Sequence, residues 1–227
     1  MARPTSRSGL WTASYGEIGA TLKSLEDRGI TVDHFKRVRT DSAYADRLTE
    51  AWKAILPVSS YDAVSILGFG NPSEESLPEA KNGEVLLRYG GWSLQELRDC
   101  SGVRERKLMW EQDWYHKYPW SNEKLPSGIY RLRIPVPNSN RRTFAEQQGS
   151  LPSGEEPAPV VLVATALLAH RLQTGEDLMK TDYTRCKEQT AGDSRVGLDW
   201  GGGRLYVDDR WDGARHDDVW LSSVRTS

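Results

Sequence analysis

The chain holds only two cysteines and three methionines in 227 residues. Cys100 and Cys186 lie far apart, so they form neither a zinc ligand set nor a CxxC redox pair. Two separate thiols are expected rather than a disulfide. Long apolar runs are absent too. The longest, "VVLVATALLA" at Val160–Ala169, has ten residues, too few to cross a bilayer, so no membrane span is expected. The opening stretch "MARPTSRSGLWTASYGEIGA" has no apolar centre of a secretory signal, which points to the cytoplasm, with export lacking a recognisable signal as the alternative. Neither sign of charge dominates: 30 basic and 32 acidic residues leave a net of -2. That balance argues against nucleic acid as a partner and against an acidic tail. The motifs GxxxxGK[ST], GxGxxG, HExxH and GxSxG are all missing, so no cofactor is expected.

What remains is a soluble globular composition on the polar side, with 37% apolar and 27% charged residues. Residues 1–10 read as a disordered lead-in. Ile18, Leu22 and Leu25 then share a helical face that Gly29 ends. Asp33 can cap a second helix, and Asp41 or Ser42 a third. Leu48, Trp52 and Ile55 share one face of that third helix, before Pro57. "LGFGNPSEESLPEAKNG" is a Gly/Pro/Ser/Glu-rich linker. It divides a helical N-terminal region, residues 1–80, from an α+β domain at 81–227. The helical region would dock a partner.

In the second domain a strand and a Gly-Gly turn lead to a helix capped by the box Ser93/Glu96. Trp110, Trp114, Tyr115, Tyr118 and Trp120 read as core plus rim. "LPSGIYRLRIPVP" reads as a strand with Ile129, Leu132 and Ile134 inward, stopped by Pro135 and Pro137. "APVVLVATALLAHRLQTGEDLM" is a helix apolar on nearly every side until His170, with Pro157 or Pro159 at its start and Gly175 just past its end, and it should be buried. The architecture is α+β, with a small antiparallel sheet at the end and one buried helix beside it.

The closing stretch "RVGLDWGGGRLYVDDRWDGARHDDVWLSSVR", Arg195–Arg225, carries three tryptophans, six aspartates and five arginines. Its glycines at 201–203 sit between two alternating runs, a hairpin signal. Val196, Leu198, Leu205, Val207, Val219 and Leu221 form the inward set. The opposite face and the following loop carry the candidate ligand-binding residues. These are Asp199, Tyr206, Asp208, Asp209, Arg210, Trp211, Asp212, Arg215, His216 and Asp217. Tyr and Trp supply rigid contact area at low entropy cost, while Arg and Asp supply directional hydrogen bonds.

The same stretch resembles the C-terminal region of the variable proteins of bacterial diversity-generating retroelements. Those proteins end in a C-type-lectin-like fold related to the formylglycine-generating enzyme. The resemblance covers roughly residues 125–227 and is sharpest in the last 33. It implies a fixed framework of Val196, Leu198, Trp200, Gly203, Arg204, Leu205, Val207, Trp211, Val219, Leu221, Ser222 and Arg225. It implies variation at Asp199, Tyr206, Asp208, Asp209, Arg210, Asp212, Arg215, His216 and Asp217. The chain lacks the Glu-Pro-Asn sugar motif, the four-cysteine framework of calcium-dependent lectins, and the catalytic cysteines of the enzyme relatives. The expectation is a non-enzymatic display protein whose ligand is a protein or a glycan.

Two other readings stay open. His216 with Asp217 or Asp212 could serve a metal-assisted hydrolase, and Asp208, Asp209, Asp212, Asp217 and Asp218 could offer oxygens to calcium, although not in EF-hand order. The chain could also be a scaffold or regulatory protein acting through its N-terminal helices.

Overall fold

The computed structural model describes residue 23 and residues 31–45, 60–81 and 83–225. The chain divides into two units, Met1–Pro57 and Val58–Ser227. In the first, α1 spans Val32–Thr40. Its cap is Thr31, not Asp33: the Thr31 N–H donates to Nδ1 of His34 at 3.1 Å, leaving Asp33 to pair with Lys36. The next helical turn does start at Asp41, whose carboxylate accepts the Tyr44 N–H at 2.9 Å. The lead-in, the helix expected around Ile18–Leu25, and the face made by Leu48, Trp52 and Ile55 lie outside the described residues.

The second unit begins before the stretch read as a linker. Strand β1, Ser60–Asp62, pairs in parallel with β2, Val85–Tyr89. The Gly/Pro/Ser/Glu-rich segment between them is a loop inside the unit. Arg88 ties it down, with Nη2 donating to the Glu75 carbonyl at 2.6 Å and Nε 3.5 Å from Asp62. A three-residue strand carries too little periodicity to announce itself, so composition alone moved the boundary downstream. A four-residue helix, α2 (Ala63–Ile66), follows β1. After β2 come α3 (Leu94–Asp99) and α4 (Ser101–Arg104). The expected capping box closes both ways, Glu96 N–H to Ser93 Oγ and Ser93 N–H to Glu96 Oε2.

The unit is α+β, built on two sheets. The first has the order β1-β2-β3-β9-β4, with β3 at Gly128–Arg133, β4 at Glu155–Pro157 and β9 at Ser223–Arg225. The second has the order β7-β6-β5-β8, with β5 at Tyr183–Gln189, β6 at Ser194–Gly201, β7 at Arg204–Trp211 and β8 at Val219–Leu221. The pairs β1/β2 and β5/β8 are parallel, and the others are antiparallel. The terminal segment "DDVWLSSVR" has the look of a single strand but forms two, divided at Ser222 and shared between the sheets. Ser222 marks the crossing: its N–H donates to the Arg185 carbonyl, its carbonyl accepts the Ala158 N–H, and its Oγ lies 2.7 Å from Thr184 Oγ1.

Helix α6, Val160–Thr174, is the expected buried helix. Every residue from Val160 to His170 is buried, and the left-handed Gly175 ends it. Each fully buried Leu or Val there contributes about 1.5–3 kcal/mol. Its few polar groups are matched: the Thr165 hydroxyl accepts Trp92 Nε1–H at 3.1 Å, and His170 Nδ1 lies 2.7 Å from the Tyr61 hydroxyl. Both cysteines are free thiols, and Cys186 is buried.

Three expected inward residues change sides. Register places Tyr130 and Leu132 of β3 with Leu87 and Val85, so Ile129 is exposed. Strand β5 pairs Arg185 with Gly197 on one side and with Leu221 on the other. Val219 and Leu221 therefore share a face with Gly197, opposite Leu198 and Val207. They are buried all the same, in a smaller apolar layer outside the main core. The segment 134–149 closes over them, with Gln147 Nε2 donating to the Val219 carbonyl at 3.1 Å. Within that segment, α5 spans Phe144–Gly149.

Candidate functional site

The β6–β7 hairpin turns through Gly202 and Gly203, whose φ values are 58° and 77°. Positive φ at both central residues is the two-residue turn that matches strand twist, and glycine adopts it without a Cβ penalty. The turn sets the register Asp199↔Tyr206, Gly197↔Asp208 and Arg195↔Arg210 on one face, and Leu198↔Val207 and Trp200↔Leu205 on the core face. Leu205 and Val207 are fully buried, while Tyr206 is 36% exposed.

The outer face is a continuous strip. Arg210 reaches back over β6, with its guanidinium 3.8 Å from the centre of the Tyr183 ring and Nη1 2.5 Å from the Asp208 carboxylate. Gly197 permits this: a Cβ there would lie 3.0 Å from Arg210 Cγ. At the turn end, Trp110 meets the Tyr206 ring edge-on at 6.4 Å, donates Nε1–H to the Gly201 carbonyl at 2.8 Å, and carries Arg204 over its ring at 4.9 Å. Trp110 is 37% exposed. Of the aromatic cluster around it, Tyr115 is buried and Trp114, Tyr118 and Trp120 are partly buried against the core.

The edge of β7 is closed, so the face and not the edge is the available surface. The Trp110 N–H donates to the Leu205 carbonyl, and the Leu205 N–H to the Leu108 carbonyl. The Gln112 amide then acts like a strand residue, donating to the Val207 carbonyl at 2.9 Å and accepting the Val207 N–H at 3.0 Å.

The ten candidate residues do not form one patch. Asp199, Tyr206, Asp208 and Arg210 share the strip. Asp209 pairs with the buried Val196, which puts it on the opposite face, where it is nevertheless exposed. Trp211 shares that parity and is 62% exposed, so it is no buried framework residue. Asp212 turns inward as a structural group: its carboxylate accepts Arg195 Nε–H at 3.2 Å and its carbonyl accepts the Phe144 N–H. Arg215, His216 and Asp217 are exposed in the loop before β8. Arg215 pairs with Glu146 at 2.6 Å, and Arg141 donates its N–H to the His216 carbonyl and lies 3.4 Å from Asp217. Among the described residues no group of three His, Cys, Asp or Glu side chains is placed to hold a metal ion. The oxygens suggested for calcium are spread over two faces and a loop, and the hydrolase reading finds His216 and Asp212 apart in role.

Tyr183, Trp110 and Arg185 belong to the surface and its support, and the terminal motif could not name them. Arg185, on β5 beneath the loop, is fully buried. It donates to the carbonyls of Arg142, Trp211 and Ala214 and to Gln147 Oε1.

The strip also holds a titrating group. Burial pushes the Asp199 carboxyl up to about 6, with Arg210 pulling it down and Asp208 adding to the rise. Among the described residues its buried Oδ1 has no hydrogen-bond partner. Because the folded value lies above the unfolded one, the fold holds the extra proton. The cost of charging Asp199 is absent below pH about 4, grows from about 4 to 6 and is complete above it. Asp199→Asn is expected to gain about 1 kcal/mol on the wild type between pH 4 and pH 7.5, a figure reduced for solvent screening of a half-buried group. Parallel urea-unfolding profiles for the two proteins would remove this assignment.

Among the described residues no helix is long and apolar enough to cross a membrane. No family model, curated protein or solved structure matches the chain.

Proposed function

We propose that the chain is a non-enzymatic ligand-binding protein, presenting a Tyr/Trp/Asp/Arg/His surface from its last strands to a protein or glycan. We further propose that it is a variable protein of a diversity-generating retroelement on a C-type-lectin-like domain, as the terminal stretch suggests. One observation carries the reading. The strip Tyr183–Arg210–Asp208–Asp199–Tyr206–Trp110 is aromatic and charged on a sheet whose other face is the core. Exposed aromatics beside paired charges are costly decoration for a plain solvated face and suit a contact surface. The loop 211–217 adds Trp211, Arg215, His216 and Asp217. It is fastened through its main-chain carbonyls by Arg185 and Arg141, which leaves all four side chains on the surface, Arg215 and Asp217 in exposed ion pairs with Glu146 and Arg141. The test is to replace Tyr206, Trp211 and His216 together with alanine. The variant should fold and lose the ligand, whereas a variant that failed to fold would place these side chains in the core.

A further inference from the structure

A second concave site lies at the end of the strip, in a cleft of about 660 Å³ lined by α3, α4, the chain to Asp113, and Arg204. Four cations border it: Arg98, Arg104, Lys107 and Arg204. Arg98 is committed, with Nε 3.1 Å from Asp99 and Nη1 2.5 Å from His116 Nε2. Among the described residues Arg104, Lys107 and Arg204 have no carboxylate partner. Arg104 and Lys107 come from the end of α4 and Arg204 from the start of β7, yet all three converge on one cleft. Lys107 stands in left-handed backbone, φ 52°. It follows α4 where the Leu108 N–H returns to the Val103 carbonyl. That is the helix-ending position glycine prefers, and here it carries an ammonium group at the cleft. Trp110 supplies an aromatic wall, and Glu111 and Asp113 supply carboxylates at the same cleft.

We propose that this cleft binds a phosphomonoester joined to a sugar and a planar ring, the chemistry of a nucleoside monophosphate. Beyond the Arg98–Asp99 pair, three cations face two carboxylates, Glu111 and Asp113, which leaves one positive charge in excess at the cleft. A phosphomonoester brings a charge of about -1.5 to -2 and three acceptor oxygens. The sugar hydroxyls donate to Glu111 and Asp113, and the ring packs on the Arg204 guanidinium that already stacks over Trp110. A cleft of this size falls within the range that encloses such ligands.

The test is calorimetric titration of the full chain with AMP, with adenosine and inorganic phosphate as separate arms. AMP should bind saturably, with phosphate and adenosine each at least about tenfold weaker, because linking the two halves makes the second contact intramolecular. Arg104→Gln and Lys107→Gly should each weaken AMP about tenfold, the loss of one charge-assisted contact. Lys107→Gly should leave the melting temperature unchanged or higher, since glycine suits that backbone, so a weaker complex there is not misfolding. No heat with AMP, CMP, GMP or UMP at millimolar concentration would overturn the proposal. So would variants that bind AMP as the wild type does, or inorganic phosphate binding as tightly as AMP. Arg104 and Lys107 stand outside the display residues, so failure here leaves the proposed function untouched.

Discussion

Replacing Arg185 with methionine is expected to cost about 3–5 kcal/mol of stability, the range for removing one member of a buried charged network. Arg185 is fully buried on β5. Burial lowers its pKa, Asp212 raises it and Arg210 lowers it further. What holds the charge is a set of oxygens: the carbonyls of Arg142 at 3.2 Å, Trp211 at 2.6 Å and Ala214 at 3.0 Å, and Gln147 Oε1 at 2.9 Å. A methionine fills similar volume but leaves the Arg142 and Ala214 carbonyls and Gln147 Oε1 without Arg185, while the Trp211 carbonyl keeps the Ala214 N–H; each such loss costs about 1–3 kcal/mol. Lysine should recover only part, because one ammonium cannot reproduce the planar fork. Urea unfolding measures the loss. Hydrogen exchange of the variant should show residues 142–147 and 211–214 opening before the rest of the sheet. A loss under about 1 kcal/mol would mean that the loop is held by other means.

The second large effect is a contrast along β7. The triple change of Tyr206, Trp211 and His216 to alanine should leave stability within about 1 kcal/mol of the wild type, as for surface positions. It should weaken capture of the native ligand by at least about thirtyfold, the factor for one interface hot spot. Leu205→Ala, one residue from Tyr206, should do the reverse: about 2–5 kcal/mol of stability lost by opening a cavity under the sheet, with ligand affinity preserved in the folded fraction. Immobilised wild type and triple variant, exposed to the same surface proteins and glycans, give the readout. The alternation explains the contrast: Leu205 and Val207 are fully buried, while Tyr206 faces Trp110 across the open strip. Equal loss of folding in the triple variant would abolish the distinction between scaffold and display.

Much of this was legible in the residues because several signals agreed. Helix α6 announces itself by an apolar run too long for a short strand, bounded by Pro159 and Gly175. Ser93 with Glu96 marks the start of α3 by pairing two backbone N–H groups. Gly202 and Gly203 mark the hairpin because both positions need positive φ. The alternation from Arg204 to Asp208 then separates inner from outer side chains.

The rest depends on partners distant in the chain. "VWLSSVR" reads as one strand because nothing local shows that Ser222 changes sheets. Val219 and Leu221 are apolar, but which face they join depends on their register with Arg185. Asp209 and Trp211 have the strand parity of Leu205 and Val207 yet are exposed, so parity alone mislabels their environment. Arg185 sits in "DYTRCKEQ", whose polar neighbours suggest an exposed arginine, and its four acceptors come from two separate loops. Trp110 joins the strip from outside the terminal motif, through bonds to Gly201 and Leu205 that no spacing rule encodes.

The most direct test of the display account is to sequence this gene from many cells of the population that carries it. The account expects codons 199, 206, 208, 210 and 215–217 to vary between copies. Codons 185, 197, 205, 207, 219 and 221 should stay constant, and a near-copy of the 3′ end should lie beside a reverse-transcriptase gene. Terminal codons no more variable than the rest of the gene would contradict it, leaving the aromatic strip as a single fixed site.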